Sequence, residues 1–439
     1  MPTFQGPRGM RDLLPAEAAA FDALRRVVQA RADRYGYPRI STPIAEDKQV
    51  FLRTSGETSD AASKEMYDVS LHGTGDLALR PEGTAPVARA FLEHGLHKAA
   101  QPQRFFYWEP MFRGQRPQLL RYRQFWQWGL ECYGAEGPAA DIEIIEFTSG
   151  LFSEVGLTEV DLQLNTIGDG PCQPKVRAAL GEYFTERRAE LSPESQRRLE
   201  TNVLRILDSK DPRDRAVADG APKVRDLVCD ADRAHFEAVV AGLERLGIRY
   251  RVVDGLVRGL DYYTRTVVEF VLTDPAFAQG GGIAVAAGGR YDGLVRTMGG
   301  PDLPGVGIAG GVDVLIEALR KQGGGAPREL GADVIVLSAE QNDDADRVQL
   351  ALPLREAGFR VALDYGGRSL EKQLESAVKH GAKVAVIRGT PEARGGNVIV
   401  RDLVKKEQRV TRLAAVVTEV GRHVRKRTRP TLEGEESAG

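Results

Sequence analysis

The sequence predicts an α+β protein: an antiparallel sheet flanked by helices, interrupted by a helical insertion and followed by a smaller α/β domain. Three observations carry this. Strand-like runs joined by short connections occupy Leu77 to Glu131 and resume between Tyr250 and Gly311, the pattern of an antiparallel sheet. Between about Pro171 and Gly247 they give way to charged segments of helical period. Beyond residue 330, strand and helix patterns alternate, which predicts a mostly parallel sheet.

Taken in order, a helix is expected over Ala16–Tyr35, where Phe21, Leu24, Val28 and Ala32, with Val27 beside them, share one face after Pro15 and before Gly36. Tyr37–Ile44 is β-branched with prolines at 38 and 43, so an edge or interface strand is expected there. Leu77–Leu79, Arg104–Tyr107 and Phe125–Trp128 read as strands, with one helix near Pro86–Gly95. Ala139–Gly156 is helical and Leu162–Asn165 returns to strand. The insertion has helical patterns at Lys175–Leu191, Ser195–Leu207 and Arg233–Leu246. The sheet resumes at Tyr250–Val253 and Thr266–Leu272 and closes in the glycine-rich stretch from Gly280 to Gly311.

Lys321–Pro327 has linker composition. Beyond it, Val334–Leu337, a helix near Asp344–Ala357, Phe359–Leu363, a helix near Leu370–His380 and Lys383–Ile387 run β, α, β, α, β. The expected boundaries are therefore a first domain over 1–325 with its insertion at about 171–247, a second over 331–425, and a disordered tail over 426–439.

At 439 residues the chain is long enough for two to four domains. Its 60 Lys+Arg against 62 Asp+Glu, net −2, exclude a uniformly basic nucleic-acid coat but leave room for a local basic groove. Cys132, Cys172 and Cys229 lie forty or more residues apart, a spacing read as excluding a disulfide framework and a CxxC zinc knuckle, and as fitting a reducing cytoplasm. The six histidines form no HxxxH set, so no metal is expected. The first fifteen residues contain no apolar core and no window reaches eighteen apolar residues, so neither a signal peptide nor a membrane span is expected.

Four clusters have the residue types for chemistry. In Phe112–Glu131 two strands flank a loop around Pro117–Leu120, and alternation places Arg121, Arg123, Phe125 and Gln127 on one face. Arginines and amides so arranged hold phosphate or carboxylate; a solvated arginine-rich hairpin is the alternative. In Leu79–Ala85 a strand runs into Pro81 and a helix start, with Thr84 as a candidate N-cap. Leu256–Thr266 sets Arg258 between apolar residues and follows it with Tyr262 and Tyr263, which suits either a half-buried pocket with one fixed charge and aromatic walls or a turn with surface tyrosines. Ala287–Leu294, with Gly288 and Gly289 before Tyr291, permits close backbone approach, without any phosphate-loop pattern. Asp261 and Asp292 suggest a hydrolytic carboxylate pair by type only, since nothing in their spacing supports it.

In this order and spacing the clusters resemble the histidyl-tRNA synthetases, a class II aminoacyl-tRNA synthetase family, over nearly the whole chain. Arg8–Pro15 with Thr42-Pro43-Ile44 is similar to the family's first motif, at its dimer interface. Lys64–Tyr67, Leu79–Thr84 and Met111–Glu131 follow, the last as motif 2. Leu256–Thr266 and Gly288–Leu294 resemble the two histidine-specific signatures, and Gly366–Gln373 one of the anticodon-binding domain.

The resemblance implies a class II antiparallel sheet with a C-terminal anticodon-binding domain, and activation of histidine by ATP before its transfer to tRNA(His). Arg113 and Arg258 then match the catalytic arginines. Glu82, Thr84, Gln127, Glu131, Tyr262, Tyr263 and Tyr291 match the histidine site, and Arg113, Gln115, Arg121 and Arg123 the ATP site. Mg²⁺ accompanies ATP, and a cytoplasmic homodimer is implied.

This chain departs from the family pattern on the ATP side: Gln115 replaces a motif 2 glutamate, Leu119-Leu120 a Lys-Gly pair, Trp126 a histidine and Val314 the motif 3 arginine. Losing such a charged contact is worth roughly 1.5–3 kcal/mol, about ten- to a hundredfold in binding. A second reading is thereby left, a synthetase-like paralogue that binds histidine or tRNA in a regulatory role without charging. Retention of Arg258, Tyr262, Tyr263 and residues 331–425 weighs toward charging.

Overall fold

The computed structural model describes residues 4–55, 65–70, 75–116, 120–277, 282–323, 331–340, 344–365 and 368–426. The chain divides into two compact units, Met1–Pro327 and Arg328–Gly439. Residues 324–327 of the expected linker and the expected tail beyond Lys426 lie outside the described residues.

Helix α1 (Pro15–Arg34) opens the first unit. Pro15 sits in its first turn, where a missing N–H costs nothing, and Phe21, Leu24, Val28 and Ala32 are buried. The strand expected over Tyr37–Ile44 does not form. A single parallel bridge links Arg39 to Phe106, with Ile40 N donating to Phe106 O and Phe106 N to Pro38 O. Pro38 and Pro43 supply no N–H, so the segment lies extended beside a sheet edge without a continuous ladder. Strands β1 (Ala45–Asp47), β2 (Tyr67–Val69) and β3 (Leu77–Leu79) make a small antiparallel sheet in the order β1-β3-β2. Helix α2 (Lys48–Ser55) follows β1, and α3 (Thr84–Glu93) follows β3.

The main sheet contains β4 (Gln103–Phe112), β5 (Gln124–Tyr133), β6 (Val160–Thr166), β7 (Arg251–Val252), β8 (Thr264–Leu272), β9 (Ile283–Arg290) and β10 (Gly305–Gly311). Their order is β4-β5-β10-β9-β8-β6-β7, and every neighbouring pair is antiparallel except β6–β7. Helix α4 (Ala139–Val155) precedes β6. The insertion separates β6 from β7 as expected, but in shorter pieces: α5 (Gln173–Glu186), α6 (Pro193–Thr201), α7 (Pro212–Ala218), α8 (Val224–Leu227) and α9 (Asp230–Arg245). Two more helices, α10 (Leu294–Thr297) and α11 (Val312–Lys321), flank β10.

Period-two alternation gives the sheet two different faces. Phe106, Trp108, Trp128, Leu130, Val306 and Ile308 pack with α1, α4, α9 and α11 in one apolar core. Phe105, Tyr107, Met111 and Tyr133 face the other way, in a second core with α3 and the insertion residues Val176, Leu180 and Phe184. Each such large side chain fully withdrawn from water is worth roughly 1.5–3 kcal/mol. The second face is also where Gln127, Glu131 and Gly307 fall, so that polar side chains and backbone share it with tyrosines.

Two of the cysteines depart from the expectation that their spacing set. Cys172, just before α5, and Cys229, just before α9, form a disulfide with Cα atoms 5.8 Å apart. Their separation of 57 residues along the chain carries no information about distance in space, because the insertion leaves and returns at one place.

The second unit forms the predicted β-α-β-α-β series as β11 (Val334–Ser338), α12 (Asp344–Glu356), β12 (Val361–Leu363), α13 (Leu370–Lys379) and β13 (Val384–Arg388). The sheet is less parallel than expected. After the parallel group β12-β11-β13 come β14 (Asn397–Asp402) and β15 (Glu407–Arg412), both antiparallel, and then helix α14 (Val416–Gly421). Strand β15, exposed and polar at nearly every position, has no apolar alternation to reveal it. Among the described residues, no helix is long and apolar enough to cross a membrane.

Candidate active site

The site begins at the first turn of α3. Thr84 does not cap that helix; Gly83 occupies the cap position. Glu82 serves the exposed amides instead, Oε2 accepting from Thr84 N at 2.6 Å and Oε1 from Ala85 N at 2.9 Å. A carboxylate reaches two amides where a hydroxyl reaches one, and the positive end of the helix favours it. Burial raises the Glu82 pKa, opposed by those N–H bonds and by Arg113.

With the cap supplied, the Thr84 hydroxyl is directed at β5. Its Oγ1 donates to Glu131 Oε1 at 2.7 Å, and the Tyr291 hydroxyl donates to Glu131 Oε2. Glu131 is completely buried, and that burial pushes its carboxyl up to about 8, against the pull of both hydroxyls. Gly307 stands opposite Glu131 in β10. A Cβ there would overlap Glu131 Oε2 and come within 2.5 Å of the Tyr291 hydroxyl, so only glycine leaves this pair intact.

Tyr262 and Tyr263 pack at 4.7 Å between ring centroids, with Tyr291 edge-on at 5.8 and 6.3 Å. Burial raises the pKa of all three, which keeps the hydroxyls neutral. Tyr107, which the sequence did not single out, joins them: it pairs with Gly129 across the β4–β5 ladder, and a Cβ at Gly83 would lie 2.5 Å from its ring. Its hydroxyl is buried without a hydrogen-bond partner. A glycine after Trp126-Gln127-Trp128 in a strand of large residues was the available signal.

Two arginines face these groups. Arg113 Nε donates to Pro81 O at 2.9 Å and its guanidinium lies 5.1 Å from the Phe125 ring centre; burial lowers its pKa, opposed by Glu65 and Glu82. Arg258 Nη1 donates to Glu269 Oε1 at 3.1 Å, over the Tyr263 ring. Burial works against its charge, but Glu269 and the two tyrosines outweigh that and the pKa is raised. Arg258 Nε is buried without an acceptor, as is the acceptor Gln127 Oε1 without a donor.

Glu82, Thr84, Arg113, Gln115, Arg121, Gln127, Arg258, Tyr262 and Tyr263 all line one cavity of about 670 Å³. Glu131 and Tyr291 lie behind its wall, reached through Thr84. Arg123 is absent from the lining: Nε donates to Gln115 O at 3.2 Å, and Arg123 N to Gly9 O at 2.7 Å. Strand β5 starts at Gln124, so the alternation that placed Arg123 beside Gln127 does not reach it. Leu119 lies outside the described residues, while Leu120 and Val314 line the cavity and bring no charge.

The neighbouring acids are engaged elsewhere. Asp292 is paired with Arg290 at 2.9 Å and Arg265 at 3.5 Å, whereas Asp261 accepts from Asn202 at 2.7 Å. They are two separate anchors, not a hydrolytic pair. Asp313 accepts from Arg11 at 2.7 Å and from Trp126 N at 2.9 Å, tying the first motif to β5. Asp169, Cys172, Cys229 and Asp232 cluster closely enough to hold a metal. The two sulfurs, however, are bonded to each other, and Arg265, Cys172 N and Asp169 N already use the carboxylate oxygens.

The arrangement combines buried acids and aromatic rings, suited to an ammonium or imidazole, with arginines suited to a carboxylate and phosphates. Comparison with known proteins points the same way. The histidyl-tRNA synthetase family matches residues 9–315, and the anticodon binding domain family residues 332–423. Histidine–tRNA ligase of Streptococcus pneumoniae is 40% identical over 406 residues, 92% of this chain and 94% of that one. The ligase of Streptococcus gordonii is 40% identical over 419 residues, 94% and 97% of the two chains. The apo crystal structure of Staphylococcus aureus histidyl-tRNA synthetase superposes with a TM-score of 0.80 at 31% identity, covering 95% of this chain and 99% of that one.

Proposed function

Because the chain belongs to the histidyl-tRNA synthetase family, we propose that this cavity carries both half-reactions of histidine–tRNA ligation. The protein is a histidine–tRNA ligase: it activates histidine with ATP to histidyl-adenylate, releasing diphosphate, and transfers the histidyl group to tRNA(His), releasing AMP. The observation that best supports the division of labour is that Thr84, tied to buried Glu131, and the two arginines 113 and 258 border the same cavity.

Glu82, Thr84, Gln127, Glu131, Tyr262, Tyr263 and Tyr291 form the histidine site. Imidazole offers one donor and one acceptor. A site with fixed complementary partners rejects apolar side chains by leaving its own groups unpaired, and the orphaned Gln127 Oε1 is one such partner.

In activation, a carboxylate oxygen of histidine attacks the α-phosphorus and the bond to the β-bridging oxygen breaks. Two anions must meet for this to happen. Arg258 between them lowers the repulsion and fixes the approach, and its unpaired Nε is the available donor. Arg113 stabilises the charge that develops on the α-phosphoryl oxygens. Gln115 and Arg121 belong to the ATP side of the same cavity, and Arg123 serves it indirectly by holding Gln115. Mg²⁺ enters as part of the nucleotide substrate, held largely by phosphate oxygens.

In transfer, the terminal ribose hydroxyl of tRNA attacks the adenylate carbonyl and AMP leaves; the second unit binds the anticodon end. We further propose a cytoplasmic location and a homodimer, the latter supported by the extended Pro38–Ile40 segment beside the outermost strand of the main sheet. Purified protein incubated with ATP, labelled histidine and tRNA(His) should yield labelled tRNA. Binding of histidine with no charging would instead support the regulatory reading.

A further inference from the structure

The cavity's positive charge does not all come from the sheet. Besides Arg113, Arg121 and Arg258 its lining includes Arg205, Lys210 and Arg215, all carried by the insertion. Against these six cations stand three carboxylates, Glu82, Asp208 and Glu269, of which Glu82 is engaged by backbone amides and Glu269 by Arg258.

The segment that presents the insertion cations is locked. Asp214, buried at the start of α7, accepts from Ser192 N and from the hydroxyls of Ser192, Ser195 and Ser209 at 2.6–2.7 Å. Arg215 Nε in turn donates to Ser209 O at 3.3 Å. The short stretch from Ser209 to Arg215 is thereby held by four hydrogen bonds to one carboxylate. Arg205 joins it to the catalytic loop, Nη1 donating to Gly259 O at 3.3 Å. Lys210, exposed, has no ion-pair partner among the described residues. A lysine and an arginine carried on a braced segment at the cavity, with no ion pair to either among the described residues, are set to meet a multiply charged anion.

We propose that Lys210 and Arg215 bind the phosphate chain of ATP, the β- and γ-phosphoryl groups that leave as diphosphate, and so supply the charge that Val314 cannot. This rests on the ligase reading above. The same residues offer phosphate contacts to the 3′ end of tRNA, and the two sources separate kinetically.

Histidine-dependent exchange of diphosphate into ATP is measured without tRNA on the full chain, for the native protein, Lys210→Ala, Arg215→Ala, the double variant and Lys210→Arg. The expected result is a rise of about tenfold or more in KM for ATP and for diphosphate in the double variant. KM for histidine should stay within twofold, and Lys210→Arg should recover most of the loss. Both side chains are exposed, so folding is not at risk. Unchanged KM for ATP in the double variant overturns the proposal, whether or not KM for tRNA rises in the charging assay. Absence of exchange in the native protein would instead overturn the ligase reading itself.

Discussion

Thr84 Oγ1 donates to Glu131 Oε1 at 2.7 Å, joining the start of one helix to the middle of a strand 47 residues away. The contact exists because Glu82, rather than Thr84, satisfies the helix amides. Thr84→Val keeps the shape and removes the donor, leaving a buried carboxyl oxygen without its partner. The expected cost is about 1–3 kcal/mol, seen as a raised KM for histidine with an unchanged KM for ATP in the exchange reaction. Equal effects on both substrates would place Thr84 outside the histidine site.

Glu131 also sets a pH dependence. Burial raises its pKa from the ordinary 4.5 to about 8. Below pH 4.5 both folded and unfolded chains hold the proton, whereas between 4.5 and 8 only the folded chain does. Its contribution to stability is therefore full at acid pH and is lost as pH rises through about 8, by up to about 1.4 kcal/mol per pH unit. Glu131→Gln, which cannot ionise, should show a flatter profile in urea denaturation between pH 5 and 8. Parallel profiles for the two proteins would mean that Glu131 is ionised in the fold.

The Cys172–Cys229 bond ties the start of the insertion's first helix to the start of its last. Closing a loop of that length stabilises the fold by about 2–4 kcal/mol. Peptide mapping under non-reducing conditions should recover the linked pair, and the Cys172→Ser, Cys229→Ser double variant should unfold at lower urea concentration. Free thiols at both positions in the native protein would remove the basis for that expectation.

The strands that build the cavity were legible because they alternate. Trp126 and Trp128 turn to one face of β5, Phe125 and Gln127 to the other, as period two requires. Where regular structure stops, residue spacing no longer tells where a side chain goes. Arg123 precedes the strand and points away, and the prolines at 38 and 43 reduced a predicted strand to one bridge. Thr84 was placed correctly at a helix start but given the wrong partner, since a tertiary acceptor 47 residues distant is invisible locally. Arg205, Lys210 and Arg215 follow no pattern of spacing; only the folding of the insertion brings them to the cavity. The disulfide was missed for the same reason.

The ligation chemistry proposed above depends most on Arg258 as the cation between histidine carboxylate and α-phosphate. The direct measurement is histidine-dependent diphosphate–ATP exchange by the native protein and by Arg258→Ala, with histidine binding followed in parallel by calorimetry. Exchange in the native protein, with a fall of at least about a hundredfold in Arg258→Ala while histidine binding weakens much less, is the predicted result. Exchange of comparable rate in both proteins, or none in the native protein despite tight histidine binding, would contradict it.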